Sequence, residues 1–95
     1  MAKYIKYSNH LRFRLGIRNI LYDLPKDIYN YSIEHYYDTI TKYYVAIGSA
    51  KYKRKHREMA VIYKENKGII EIITIHPLKR GQKENRVKKG RWIKK

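Results

Sequence analysis

Histidine, lysine and arginine are the side chains of this sequence best suited to moving protons and holding phosphate. Cleaving RNA without a metal needs a base for the 2′-hydroxyl, cations for the charge that builds on phosphorus, and a donor for the departing 5′-oxygen. His76 stands before Pro77 at the end of an Ile-rich run, where period-2 alternation aims it at one sheet face together with Ile70, Ile72 and Thr74. It is the first candidate for proton transfer, although a histidine at a strand end is more often only a cap. His10 is the second candidate. Arg14 and Arg18 follow it at i+4 and i+8, so one helical stripe would present an imidazole beside two guanidiniums, with Arg14 gripping phosphate. Lys79 and Arg86 are the candidate transition-state cations.

A wider set of side chains is suited to the phosphate backbone. Arg80, Lys83, Lys88, Lys89 and Arg91 lie in a tail with Glu84 as its one acid, and Lys53, Arg54, Lys55 and Arg57 lie in the run KYKRKHR. Arginine can bind phosphate bidentately, and simultaneous contacts would make affinity fall steeply with salt. Trp92 among the tail cations could stack on a base, but a lone tryptophan more often docks a tail onto a core. Tyr44 and Tyr52 are freer to meet bases than the tyrosines before them. His35 reads as structural, and His56 as part of a basic loop.

Other chemistry is disfavoured. There is no cysteine, no H-x-x-x-H spacing, no GxxxxGK[ST] loop and no GxGxxG turn, so neither a metal nor a nucleotide cofactor is expected. Glu58, Glu71 and Glu84 are too scattered to suggest a glycosidase pair. The formal charge of +15, from 23 Lys and Arg against 8 Asp and Glu, exceeds what solubility requires and implies a polyanion, RNA or DNA, as partner. No run approaches the ~18 apolar residues of a membrane span, and the opening MAKYIKYSNH lacks a leader's apolar core, so a cytoplasmic protein without a membrane partner is expected.

These residues need elements to position them, and 95 residues suggest one domain, with a basic extension over 77–95. Residues 3–7 read as an edge strand, and Ser8 as the cap of a helix over 9–18. Pro25, Asp23 and Asp27 mark a second helix whose apolar positions recur from Ile28 to Tyr36 and Tyr37. Three strands follow at 43–50, 58–64 and 69–75, the last two joined through Asn66, Lys67 and Gly68. The fold expected is α+β: two N-terminal helices on one face of a three- to four-stranded antiparallel sheet, β-α-α-β-β-β, then a basic tail or short helix.

The stretch HREMAVIYKENKGIIEIITIHPLKR, residues 56–80, resembles the paired central strands of RelE/ParE-like toxins. Arg57 opens a strand ending at Tyr63, and Ile70, Ile72 and Lys79 stand in corresponding places. His10 on a first helix is similar to an uncharacterised short branch of the same ribonuclease-toxin fold family. The resemblance implies metal-independent cleavage of RNA, including ribosome-bound mRNA, restrained by a small acidic antitoxin. It also leaves open the ParE-like branch, which inhibits a protein target and cleaves no RNA, while the charge alone would equally suit a non-catalytic RNA- or DNA-binding protein.

Overall fold

The computed structural model describes residues 4–95. Lys3 of the expected first strand lies outside them; β1 runs Tyr4–Tyr7. The chain continues with α1 (Asn9–Arg18), α2 (Leu24–Tyr31), β2 (Glu34–Asp38), β3 (Tyr44–Tyr52), β4 (Lys55–Asn66), β5 (Ile69–Pro77), α3 (Gln82–Lys88) and β6 (Trp92–Lys94). The strands form one six-stranded mixed sheet in the order β1-β5-β4-β3-β2-β6. β1 runs parallel to β5, and every other pairing is antiparallel.

The α+β class is therefore observed, but the sheet is larger than three or four antiparallel strands. Two local causes account for the difference. The second helix stops at Tyr31 instead of running to Tyr37, because Ser32 is extended and its hydroxyl both donates to Ile47 O and accepts from Glu34 N. Residues 34–38 then alternate as a strand, where tyrosine fits better than in a helix. At the other end, residues 92–94 add a short strand against β2, with Trp92 opposite Asp38.

The sheet has a core on each face. α1 and α2 cover one face, burying Leu11, Leu15 and Ile28 against Ala46, Met59, Val61, Tyr63, Ile70, Ile72 and Ile75. Ser8 caps α1 by accepting Leu11 N at 3.0 Å, and its hydroxyl donates to Ile73 O at 2.9 Å, fastening the helix to β5. On the opposite face Val45, Ile47 and Ala60 pack with Tyr36, Leu78 and Trp92. Gly48 permits the close seat of α2: a Cβ there would lie 3.0 Å from Ile28 Cγ2 and 3.1 Å from Tyr31 Cε1.

One irregularity sets the orientation of the candidate histidine. The β4–β5 register shifts between Ile62 and Tyr63, which pair with Thr74 and Ile72 and leave Ile73 as an extra residue. A bulge of this kind reverses the phase of side-chain alternation. Ile70 and Ile72 consequently face the helices, while Thr74 and His76 face the other way, so these four residues do not share the face that simple alternation assigns them. Among the described residues no helix is long and apolar enough to cross a membrane.

Candidate nucleic-acid site

His76 and Arg86, ten positions apart in sequence, line one cavity of about 260 Å3 on the sheet face away from α1 and α2. β5 supplies Ile73, Thr74 and His76, β4 supplies Ile62, and α3 supplies Gln82 and Arg86. The far wall is Asp38, Arg91 and Trp92. The floor is thus apolar, and the rim carries an imidazole and two guanidiniums.

The electrostatics of the cavity keep the imidazole neutral. Burial pushes the pKa of His76 below its usual 6.5, and the positive charges of Arg18 and Arg86 push the same way, against a bond to the Pro77 carbonyl. Nδ1 lies 3.3 Å from Pro77 O. A proton on Nδ1 would donate there and leave Nε2 as a free acceptor, the form a general base requires. Arg18 reaches this end of β5 from α1, where its guanidinium donates to Ile75 O at 3.4 Å.

Arg86 is only partly satisfied where it stands. Its guanidinium carbon lies 5.5 Å from the centre of the Trp92 ring, a cation–π contact. Its Nε is buried and, among the described residues, has no hydrogen-bond partner. A buried donor of this kind calls for an acceptor.

The neighbouring guanidinium is paired with a carboxylate. Arg91 donates to both oxygens of Asp38 at 3.1 and 3.2 Å, and the Trp92 indole donates to the same carboxylate at 3.1 Å. Burial raises the pKa of Asp38, but Arg91, the amides of Ile40 and Thr41, and Trp92 outweigh it and hold the group at about 2. Arg91 and Trp92 are thus structural supports of the cavity wall, and Trp92, 3% exposed, offers no face for a base to stack on. Asp38, the residue that organises them, is marked by no motif or spacing in the sequence.

The remaining basic candidates of the tail and of the β3–β4 turn fall into four groups. Lys83 is held by Glu34 at 3.1 Å and Glu58 at 3.2 Å, so its charge is balanced internally. Burial opposes its charged form, but the two carboxylates prevail and raise its pKa. Lys79 and Arg80 are exposed and line a broad open basin with His56 and Arg57, which also holds the carboxylates of Glu58 and Glu84. Beyond that basin the β3–β4 turn carries Lys53, Arg54 and Lys55, all exposed. Lys88 and Lys89 lie exposed at the end of α3.

His10 is exposed in the first turn of α1, and neither it nor Lys79 lines the His76 cavity. Arg14 is half-buried on the same helix. Of the four residues expected to act together, the fold brings His76 and Arg86 into one cavity. Arg18, expected only to bind phosphate, does not line the cavity; its charge acts on His76 from the α1 side of β5.

A second histidine cluster escaped the sequence. His35 lies on β2, with Nδ1 2.7 Å from the Tyr63 hydroxyl, which also accepts from Lys95 Nζ at 3.3 Å. Lys95 stands 4.5 Å over the Tyr44 ring and pairs with Glu65. Burial lowers the pKa of His35, helped by Lys95. The cluster fastens the chain after β6 to the sheet, as does the bond from Lys95 N to His35 O. Reading residues 34–38 as helix hid it, since strand alternation is what brings His35 toward Tyr63.

Among the described residues, no group of three or more His, Asp or Glu is placed to hold a metal ion. No family model, curated protein or solved structure matches the chain.

Proposed function

We propose that the protein binds RNA through its cationic surface and cleaves it at the His76–Arg86 cavity without a metal ion. The observation that carries this reading is the buried, unpaired Nε of Arg86 in the same cavity as a neutral imidazole. His76 Nε2 takes the proton of a 2′-hydroxyl, and the resulting oxygen attacks the adjacent phosphorus. The O2′–P bond forms and the P–O5′ bond breaks, leaving a 2′,3′-cyclic phosphate. Arg86 stabilises the equatorial oxygens as their charge grows, and Arg18 adds to the local positive potential. The departing 5′-oxygen takes its proton from water at the open mouth.

The distribution of charge supports the same partner. Carboxylates are engaged with Lys26, Lys64, Lys83, Arg91 and Lys95. The cations of the β3–β4 turn and of the β5–α3 connection have no such partner among the described residues. The likeness to RelE/ParE-like toxins adds a regulatory expectation: expression alone arrests growth, and a small acidic protein restrains the activity.

The test is incubation of the purified protein with naked RNA and with ribosomes in EDTA, followed by mapping of cut ends. Cyclic phosphate ends that vanish in His76→Ala and Arg86→Ala support the reading; intact RNA in both mixtures overturns it. One observation favours a second reading, non-catalytic nucleic-acid binding: of the other acid–base groups in the cavity lining, Asp38 is locked to Arg91 and Trp92, which leaves the Tyr43 phenol alone to serve the leaving oxygen. Salt-dependent binding with RNA left intact would select it.

A further inference from the structure

We infer that the β3–β4 hairpin is an arm that grips the double-helical part of a folded RNA, with the phosphates of a stem on both sides of it. The inference rests on the ribonuclease reading for the choice of RNA, and on separate observations for the arm. β2 pairs with β3 only as far as Ile47, and β5 pairs with β4 only as far as Met59. The ladder between β3 and β4 nevertheless continues to Tyr52 opposite Lys55. The last pairs form a two-stranded ribbon reaching about 14 Å beyond its neighbours, at ~3.4 Å per residue.

The ribbon is held firmly at its root. Tyr31 of α2 donates its hydroxyl to Ser49 O at 2.8 Å, and Arg57 donates to Leu78 O at 3.2 Å. Ala50 is buried beneath α2. The tip therefore extends from a fixed base.

Charge surrounds the tip. Ala50 and Met59 face the helix layer, so by alternation Lys55 and Arg57 lie on that side, and Lys51 and His56 on the other. Lys53 and Arg54 occupy the turn. Residues 51–57 contain no acid. A single strand laid along one face would leave the cations of the opposite face unused. Cations on both faces and the end are suited to two phosphate walls, which a stem provides. The same ribbon borders the Arg57–Lys79–Arg80 basin, and Ala60 on β4 pairs directly with His76. A stem held by the arm would place its adjoining unpaired strand toward the cavity.

The turn itself argues for function over stability. Lys53 and Arg54 both have left-handed backbone, with φ of 51° and 68°. A two-residue turn of this type is best made by Asn-Gly, whose conformations cost least there. The chain instead keeps two long cationic side chains at the position least tolerant of them.

That conflict supplies the test. The K53N/R54G variant improves the turn while removing two charges, so its folding and its binding should move in opposite directions. The probes are a 2′-O-methylated RNA hairpin with a ten-base-pair stem, an unstructured 2′-O-methylated strand of equal length, and a DNA duplex of ten base pairs. Methylation blocks the attacking oxygen and separates binding from cleavage. Wild type should bind the hairpin at least tenfold more tightly than either other probe. K53N/R54G should keep or raise Tm, lose about tenfold in hairpin affinity, and show a salt slope shallower by about 2. Equal binding of hairpin and strand, preference for the DNA duplex, or unchanged affinity and slope in K53N/R54G would each overturn the arm. Hairpin binding with no cleavage of unmodified RNA would remove the ribonuclease reading and leave the arm standing; cleavage with binding unaffected in K53N/R54G would do the reverse.

Discussion

At the scale of single residues, the cavity makes sharp demands on His76. A histidine whose pKa is pushed below 6.5 by burial and by two arginines is already neutral at neutral pH. If it acts as the base, cleavage at fixed salt stays level from pH 8 to about 6.5 and declines only below that. His76→Ala should lower the rate by roughly 10²- to 10⁴-fold and abolish the acid limb, as a pH–rate profile would reveal. Arg86→Ala should cost about 10²- to 10³-fold with the limb retained, because it removes charge stabilisation and not the titrating group. Asp38 governs stability instead. Its carboxyl is held at about 2 against 3.8 for the ordinary group, so as pH falls the unfolded chain takes up the proton first. The corresponding stability, about 2 kcal/mol, is complete above pH ~4 and is lost as pH drops toward 2. Asp38→Asn should lose about 2–3 kcal/mol at pH 7 by urea denaturation, since Arg91 would be left without its counter-ion.

Among the elements, α2 and the β3–β4 ribbon stand or fall together through Gly48. Gly48→Ala would push a methyl against Ile28 and Tyr31 at about 3.0 Å, costing roughly 1–2 kcal/mol, and should raise protease sensitivity at the ribbon root. Much of this level was legible in the sequence: Ser8 as a cap, Pro25 in a first turn, and three strands at nearly their true places follow from local preferences. The parts that were not legible depend on distant partners. The helix reading of residues 32–37 failed because tyrosines at helical spacing also suit a strand, and Ile47, which accepts the Ser32 hydroxyl, lies far along the chain. The extra residue at Ile73 leaves no mark in composition, yet it decides which way His76 points. Three residues at 92–94 are too few to announce a strand. They become one through the bonds of Asp38 to Arg91 and Trp92.

For the molecule as a whole, the prediction is electrostatic. If about six of the cations without carboxylate partners engage phosphate together, log affinity for RNA should fall against log salt with a slope near −5, measurable by titration at several KCl concentrations. A slope near −1 would show that the charge is spread and idle. The sequence disclosed the amount of charge but not its arrangement, because only the fold tells that Lys83 and Arg91 are neutralised internally while Lys53 and Arg54 are not.

The position of Arg91 and Trp92 in the wall of the cavity also has a temporal side. His76 and Arg86 are synthesised before those residues, and the strand that carries Trp92 must find β2, more than fifty positions earlier, before the wall exists. Until then Arg86 has no indole to rest on and the pocket is open on one side. The pocket is therefore complete only when β6 has docked against β2.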